Sequence, residues 1–392
     1  MMRQQSGKKW TVLVTGLWMG LTLSAQQNSP RISRVYDYRP APGQFINVSP
    51  EYVPGDTRED TRRKVEELLT GEEGGLVSLG AYGGYIVFGF DHPVVNVPGE
   101  PDFRVTGNVF VNAVAGALSE SSEPGIVTVA RDANGNGLPD DAWYELAGSE
   151  YSHPLTVHNY RITYYKPDEN RTPEPDAANP ALTDTAYIRW VDNQGNRGYV
   201  SANSFHTQPY YPQWEDADSL VFEGARLPDN YRIEGGGYSF RAFEWGYADN
   251  RPNADAHSAF NIEQAVDAEG QPVHLPEIHF IKVYTAVNQY CGWLGETSTE
   301  VGGAVDLHPD AVSTAAQSPP AAARTQLIAN PVGDRLLIAS PISQTVQVIG
   351  MDGVRRMSFR VESGTVAVPC SSLPQGFHIL VTQDGAIKFR KQ

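Results

Sequence analysis

Oxygen-bearing side chains recur at short, regular spacing at the start of the segment spanning residues 132–145. Asp132, Asn134 and Asn136 alternate with small residues, and Gly137 follows the last of them directly. This order places several oxygen ligands around one point, and glycine permits the sharp turn between them. We therefore predict a loop that binds a hard cation. Calcium fits better than magnesium, because the loop offers a nearly complete oxygen shell.

The remaining predicted ligands follow within the same segment. The backbone carbonyl of Leu138 and the side chain of Asp140 stand at the seventh and ninth positions. The twelfth position is Trp143 instead of glutamate, so Asp141 or Glu145 has to supply the last carboxylate. We expect a structural calcium ion in a loop that joins two strands. A metal-free Asn-Gly turn with acidic residues around it is the alternative.

Paired carboxylates are the second kind of candidate chemistry, because a glycoside hydrolase needs two of them on either side of the scissile bond. The acidic candidates are Glu123, Glu244, Asp249, Glu296 and Glu300. Glu296 and Glu300 lie on a glycine-rich connection, and we interpret them as ligands of backbone or cation. The chain has no His-Glu-x-x-His and no Gly-x-Ser-x-Gly motif. We therefore expect a protein that is not an enzyme.

Aromatic side chains in loop-like segments are the third kind of candidate, for ligand binding. The predicted ligand-binding residues are Tyr210, Tyr211, Trp214, Trp245, Tyr247, Asp249 and Asn250. Their rings offer flat faces to a sugar or a large ring ligand, and the polar neighbours fix its orientation. The alternative is that these aromatic residues anchor loops to the core.

The elements that position these residues are predicted to be strands. Stretches rich in Val, Ile, Tyr and Phe, bounded by Gly, Pro, Asn and Asp, predict strands at residues 85–90, 103–105, 125–130, 160–165, 186–190, 219–222 and 278–284. One helix is predicted from Thr57 to Leu69, with Asp56 or Thr57 as its cap. The body, residues 26–310, is therefore predicted to be an all-β, jelly-roll-like sandwich with long loops.

The beginning of the chain has the pattern of a secretory signal peptide. Arg3, Lys8 and Lys9 precede an apolar run that ends in small residues at Ala25. We predict cleavage after Ala25, which makes residues 1–25 the signal peptide. The run is shorter than the ~20 residues that a membrane-spanning helix needs, and no later stretch is apolar enough. We expect no transmembrane segment.

The charge of the chain limits its partners. It has 46 acidic and 30 basic residues, a formal net charge of −16. Affinity for nucleic acid comes from Lys and Arg that neutralise phosphates, so this charge argues against a nucleic-acid partner. It suits a soluble secreted protein and the binding of hard cations.

The end of the chain is predicted to be a separate, small β-sandwich at residues 326–392, after a Pro- and Ala-rich linker at residues 311–325. Its motif residues are Asn330, Pro331, Asp334, Gly353, Leu373, Gly376, Lys388 and Lys391. The set resembles the C-terminal sorting domain, type A, of the type IX secretion system of the Bacteroidetes, although Phe377 stands where Tyr is commoner. The resemblance implies passage through the type IX secretion machinery to the outer cell surface.

The body also resembles a family over about residues 35–307. The segments that carry the resemblance include residues 78–90, 244–250 and 295–300. They look like the "cell surface protein" family of gut and oral Bacteroidetes. The resemblance implies a surface-exposed β-sandwich and, through an association with cobalamin uptake, the capture of cobalamin or a similar nutrient beside an outer-membrane transporter.

These observations together predict a secreted, surface-displayed, non-enzymatic binding protein with a structural calcium ion. A carbohydrate-binding or adhesive module is one alternative, and it would use the same aromatic loops. A carboxylate-dependent glycoside hydrolase is the other.

Overall fold

A computed structural model describes residues 28–71, 74–114, 117–234, 237–313, 325–328, 331–340, 342–383 and 385–392. The predicted signal peptide, most of the predicted linker and Asn330 lie outside the described residues. Within these ranges the chain forms antiparallel sheets, one α-helix and three short 3-10 helices. The predicted all-β class is therefore confirmed.

The described strands of the body, whose strand pairs are antiparallel, range in length from two residues to the 11 residues of Leu182–Asp192. In chain order they are β1 (Arg34–Arg39), β2 (Val77–Ser78), β3 (Tyr85–Gly89), β4 (Val94–Val95), β5 (Phe103–Thr106), β6 (Val111–Val114), β7 (Ala117–Glu120), β8 (Gly125–Ala130), β9 (Trp143–Leu146), β10 (Val157–Tyr165), β11 (Leu182–Asp192), β12 (Arg197–Asn203), β13 (Ser219–Arg226), β14 (Tyr231–Glu234), β15 (Gly237–Phe240), β16 (Ala259–Phe260), β17 (Ala265–Val266), β18 (Glu277–Ile278), β19 (Phe280–Thr285), β20 (Glu300–Val301) and β21 (Gly303–Asp306).

The largest sheet of the body has six strands in the order β1-β3-β19-β8-β9-β17. Alternate residues of a strand point to opposite faces, and both faces of this sheet are covered. Val283 and Val127 belong to the main core on one face, whereas Tyr284 and Ile126 belong to a smaller core on the other. Burial on both faces explains why β8 is apolar at nearly every position.

A second sheet has four strands in the order β12-β11-β10-β13. Its apolar face, with Ile162, Ile188 and Phe222, packs together with Tyr82 from the loop before β3. Gly83 in that loop has a φ of +87°, and a Cβ there would lie 2.3 Å from the Cβ of Phe222. Only glycine lets the loop approach this closely, so Gly83 helps to set the spacing between the loop and the second sheet.

The helix α1 spans Arg58–Thr70 and begins at the predicted cap. The hydroxyl of Thr57 accepts a hydrogen bond from the Asp60 N–H, and the Asp60 carboxylate accepts one from the Thr57 N–H. This reciprocal pair is a capping box. Val65 and Leu69, one turn apart, are buried in the main core. The predicted helix is therefore confirmed.

The tail forms two further antiparallel sheets. Its strands are β22 (Gln326–Leu327), β23 (Arg335–Ser340), β24 (Gln344–Gly350), β25 (Arg355–Val361), β26 (Gly364–Pro369), β27 (Gly376–Thr382) and β28 (Gly385–Lys391). The sheet orders are β22-β23-β26 and β25-β24-β27-β28. Their facing side chains form a core that shares no residue with the cores of the body.

The predicted strands correspond closely to observed ones. The prediction at residues 125–130 coincides with β8, and those at 85–90 and 103–105 match β3 and β5 to within one residue at each end. The prediction at residues 278–284 is divided by His279 into β18 and β19. No helix in the described part of the chain is long and apolar enough to cross a membrane.

Candidate functional site

The predicted cation loop joins β8 to β9, as expected from its flanking residues. Asp132 accepts hydrogen bonds from the N–H groups of Asn136 and Gly137, at 3.0 and 2.9 Å. The Asn134 side-chain oxygen also accepts from Asn136 N–H, at 2.9 Å. Gly137 has a φ of +71°, which provides the tight turn. The loop thus closes around its own oxygen atoms and is exposed to solvent.

The carboxylates of two more residues predicted as cation ligands form hydrogen bonds within the same loop. The Asp140 carboxylate accepts from the side-chain amides of Asn134 and Asn136, both at 3.0 Å. The Asp141 carboxylate accepts from Ala133 N–H at 3.0 Å. Leu138 donates its N–H to the Asn136 side-chain oxygen. The structure therefore brings together six of the seven predicted ligand residues in one exposed loop.

Glu145 is the exception among the predicted cation ligands. It lies within β9, paired with Thr128 of β8 and Val266 of β17. Burial raises the pKa of its carboxyl group to about 7. Its charge also raises the pKa values of Tyr247 and Tyr284. Placing Glu145 in the loop was therefore wrong, because it lies within β9 and its register places its side chain on the face of the sheet that carries Ile126 and Tyr284.

A compact cluster of carboxylates lies elsewhere in the body. Glu123, Asp249 and Glu300 each place a carboxylate oxygen within 4.8 Å of the other two. Among the described His, Cys, Asp and Glu residues, it is the one group of three or more whose ligand atoms lie this close. Asp249 and Glu300 are buried, and Glu123 is partly exposed. We call these three residues the carboxylate cluster.

Backbone groups fix the position of this cluster. The two carboxylate oxygens of Asp249 accept from the N–H groups of Asn108 and Glu300, both at 2.9 Å. Glu300 in turn accepts from the hydroxyl of Ser78 at 3.2 Å. Asp249 has a left-handed φ of +49°, which non-glycine residues adopt rarely. The surrounding hydrogen bonds therefore hold the cluster in a conformation that a free chain would avoid.

All three carboxyl groups of the cluster have raised pKa values, which favours their protonated forms. Burial raises the pKa of each carboxyl group, and the charges of the neighbouring carboxylates raise those of Glu123 and Asp249 further. Lys, Arg and His are absent from the dominant influences on all three. The ligand oxygens of the three carboxyl groups lie within 4.8 Å of one another, and carboxylates this close repel each other unless one of them carries a proton. Chemically, an arrangement of this kind can hold a shared proton or, in its place, a hard cation.

The predicted aromatic binding residues are mostly core residues, so the expectation of exposed rings was wrong. Tyr210 and Tyr211 are no more than 1% exposed and belong to the core of the second sheet. Trp214 packs near Tyr38 and Tyr52, with its ring centroid 6.3 Å from that of each tyrosine. These rings are buried because residues distant in the sequence pack against them. The local, loop-like composition of the segment gives no sign of that packing.

The second predicted group is also largely buried. Tyr247 is 2% exposed, and its hydroxyl accepts from Glu150 N–H at 2.9 Å. Trp245 is only partly buried. Asn250 is fully buried and exchanges two hydrogen bonds with the backbone of Phe243. Of the predicted ligand-binding residues, Asp249 alone is brought into a chemical cluster, with Glu123 and Glu300.

Glu296, another predicted carboxylate, lines a small cavity at the edge of the second sheet. The cavity has a volume of about 140 Å³. We call it the Glu296 cavity and define it by the lining residues Ala81, Trp190, Tyr199, Ser201, Tyr290 and Glu296. Glu244, by contrast, is exposed and joins neither the cluster nor the cavity.

Two aromatic residues of the cavity reach into solvent. Tyr199 is 45% exposed and Tyr290 is 56% exposed. Trp190 lies on β11 opposite Gly198 of β12, and a Cβ at Gly198 would lie 2.6 Å from the indole ring. The indole therefore rests directly on the glycine backbone. These positions provide the exposed aromatic faces that were expected at Tyr210 and Tyr211.

The cavity residues were missed because their sequence signal is weak. Trp190 and Tyr199 lie on two strands joined by a tight turn at Asp192 to Asn196, but the register pairs Trp190 with Gly198 and Tyr199 with Arg189, so their side chains point to opposite faces of the sheet. Tyr290 lies about ninety residues further along the chain, and nothing local links it to the hairpin.

Comparison with protein-family models and with curated proteins gives no match.

The motif residues of the tail occupy turns, strand ends and the core. Leu373 is buried in the tail core, and Gly353 and Gly376 have φ values of +76° and +126°. Lys391 lies 3.7 Å from Asp334. The ammonium group of Lys388 lies 4.6 Å from the ring centroid of Phe377; Pro331 is exposed.

The raised carboxyl pKa values predict that the body is less stable at higher pH. In the unfolded chain a Glu carboxyl has a pKa of about 4.3, whereas burial raises that of Glu296 to about 8 and that of Glu145 to about 7. The folded state therefore binds more protons, and its stability is lost as pH rises through these values. Denaturant unfolding between pH 5 and pH 8, with a chelator present, should show a falling free energy of unfolding.

Two matched variants make this prediction specific. Glu123→Gln removes one ionisable group from the carboxylate cluster and should flatten the fall with pH. Glu244→Gln removes an exposed carboxylate and should leave the slope unchanged. A free energy of unfolding that stays constant or rises between pH 5 and pH 8 would contradict the assignment of protons to the buried carboxyl groups.

Proposed function

We propose that this protein is a secreted, surface-displayed binding protein whose body takes a small polar ligand in the Glu296 cavity. The observation that carries the proposal is one cavity whose lining residues include three aromatic residues, two of them well exposed, together with Glu296. Aromatic side chains that orient a ligand beside a few placed polar groups are typical of small-molecule sites. The body would then be the binding part of the chain, and the tail its sorting signal.

The size of the cavity bears on the choice of ligand. Pockets that enclose drug-sized ligands usually measure roughly 300–1,000 Å³, and this cavity is smaller, at about 140 Å³. It suits a single small ring better than a ligand as large as cobalamin, which would have to bind across the surface. We therefore favour the carbohydrate-binding alternative for this site and keep cobalamin as a ligand to be tested.

A glycoside hydrolase is a second candidate, favoured by one observation. Glu296 keeps its proton near neutral pH because burial raises its pKa to about 8, and a general acid needs such a raised pKa. Another carboxyl group, Glu300, lies close enough for its pKa to be raised by Glu296. Turnover of a glycan, lost in Glu296→Gln, would favour this candidate over binding alone.

We further propose that calcium binds the loop of residues 132–141 and stabilises the body. The support is the set of oxygen atoms from Asp132, Asn134, Asn136 and Asp140 in one tight loop. An ion at that position would have a structural role, because the loop connects two central strands of the main sheet.

Surface display through the type IX secretion system is proposed from the motif of the tail. The support is that residues 326–392 have their own sheets and their own core. A sorting signal has to fold and be recognised whatever body it follows, and a separate core suits that role.

Ligand binding in the cavity predicts a loss of affinity when its exposed rings are removed. Calorimetry with a panel of neutral and charged glycans and with cobalamin should detect one ligand class. Tyr199→Ala and Tyr290→Ala should each weaken that binding at least about tenfold, equivalent to about 1.4 kcal/mol. Phe110→Ala, which removes an exposed ring outside the cavity, should leave it unchanged. Binding that survives both tyrosine variants would place the ligand elsewhere.

Calcium binding predicts a melting temperature that depends on the ion. Chelation should lower it and calcium should restore it, since a ligand at 100 times its Kd adds about 2.7 kcal/mol to the free energy of unfolding. Asp132→Ala should abolish the response. Asp267→Ala is the matched control, because Asp267 also accepts two backbone N–H groups in a turn. A calcium response that persists in Asp132→Ala but is lost in Glu123→Gln would assign the ion to the carboxylate cluster.

The sorting role predicts that deletion of residues 326–392 traps the body in the periplasm of a type IX-secreting host. The melting temperature of the body should be retained, because the tail core is separate. Phe377→Tyr, which introduces the commoner residue, should be displayed normally. Surface labelling with antibody on intact cells measures the outcome, and continued display of the truncated chain would refute the role.

A further inference from the structure

One end of the four-stranded sheet of the tail exposes three large apolar side chains. Met351 is 62% exposed, Val354 is 50% exposed and Phe377 is 53% exposed. Met351 and Val354 are the first and last residues of the turn between β24 and β25. Gly350, at the end of β24, pairs with His378 of β27, so the antiparallel register places Met351 beside Phe377. The three side chains therefore cluster, and clustered apolar side chains on a surface mark interaction sites.

The register of the same sheet places a basic residue on one side of this cluster. Val348 of β24 is buried in the tail core, so its neighbour Ile349 points to the outer face of the sheet. Ile349 pairs with Arg355 of β25 on one side and with Ile379 of β27 on the other. Arg355 is exposed and therefore borders the apolar side chains from the β25 side.

Two more basic residues border the cluster from the β28 side. Lys388 pairs with Ile379, and Arg390 pairs with Phe377. The ammonium group of Lys388 lies 4.6 Å from the ring centroid of Phe377, so the two side chains lie on the same face. The apolar and basic residues of this face together form what we call the tail patch: Met351, Val354, Phe377, Arg355, Lys388 and Arg390.

The charge of the tail favours an anionic partner. Residues 326–392 contain seven basic and four acidic residues, a net charge of +3, although the whole chain has a net charge of −16. Asp352, the acidic residue of the turn, is paired with Arg356. The tail patch thus combines positive charge with exposed apolar surface. A surface that is anionic and also accepts apolar groups is complementary to it.

The shape of the tail patch favours a lipid surface over an acidic protein. All four residues of the turn, 351–354, are exposed, so the apolar side chains project from the end of a hairpin. A protein partner would need a pocket that matches them. In a membrane interface, apolar side chains lie at the boundary between headgroups and acyl chains, while Lys and Arg keep their charged ends among the headgroups.

From this arrangement we infer that the tail patch docks the protein onto a membrane surface that carries anionic headgroups. Its three apolar side chains enter the interface, and its three basic side chains contact phosphate groups. The inference goes beyond the proposed function, because it concerns the tail and not the Glu296 cavity. A chain that binds no glycan would still dock, and a chain without residues 326–392 would not.

The test is co-sedimentation of the full chain with large unilamellar vesicles. One set contains phosphatidylcholine with about one-third phosphatidylglycerol, and the other contains phosphatidylcholine alone. We expect binding to the anionic vesicles and at least about tenfold weaker binding to the neutral ones, since each Lys or Arg near an anionic surface strengthens binding about fivefold. Binding should also fall in 1 M salt, where the screening length is about 3 Å.

Matched variants locate the docking surface. Phe377→Ala and Met351→Ser each remove apolar surface and should weaken binding at least about fivefold. Arg390→Gln should weaken it by about the same factor. Ile342→Ser removes an exposed apolar side chain before the opposite end of β24, and Arg197→Gln removes an exposed charge from the body. Both controls should bind as wild type does.

Equal binding to anionic and neutral vesicles, or no binding to either, would overturn the inference. So would a loss in the two controls as large as in the patch variants. If Arg390→Gln weakens binding but Phe377→Ala and Met351→Ser do not, the tail patch attracts anions in general, as an acidic protein would require, and the membrane assignment is wrong. Sedimentation without vesicles would indicate self-association instead. Far-UV circular dichroism and melting of each variant confirm that it is folded.

Discussion

Carboxyl groups buried without an opposite charge are the constraint on which this body depends. Glu123, Asp249 and Glu300 place oxygens within 4.8 Å of each other, and Glu296 is buried at its Oε2 atom. Ionised carboxylates in such surroundings are strongly destabilised unless they are paired. The protein therefore either keeps protons on these groups or binds a cation. Both the stability of the fold and the chemistry of the cavity depend on whether these carboxyl groups are protonated or bind a cation.

The backbone enforces this arrangement at several points. Gly107 passes so close to Asp249 that a Cβ there would lie 2.0 Å from its Oδ1 atom. The first residue of β20 is Glu300, and its N–H binds the Asp249 carboxylate. Gly43 restrains Glu296 in a similar manner. Because main-chain atoms hold the acids in place, the groups cannot move apart or turn to solvent, and their pKa values have to change instead.

Local elements were predictable from the sequence, and long-range contacts were not. Apolar, β-branched residues identify the strand at residues 125–130, and the Thr57 cap identifies the start of α1. The segment at Tyr210 and Tyr211 looks like an exposed loop because Pro212 and polar residues follow it. In the structure, Asn47 donates hydrogen bonds to the carbonyl oxygens of Pro209 and Tyr211 from more than 160 residues away. Glu123 and Glu300 were recognised as candidates, but only the pairing of distant strands brings them together.

The most direct test of the account is a carbon-13 NMR titration of the glutamate side-chain carboxyl groups, with the Glu296 signal assigned from Glu296→Gln. An ordinary glutamate titrates at about pH 4.3. We expect the Glu296 signal to titrate near pH 8 and the Glu123 and Glu300 signals well above the ordinary value, in a sample free of metal ions. Titration of all three near pH 4.3 would show that the buried carboxyl groups are ionised at neutral pH, which would contradict the account.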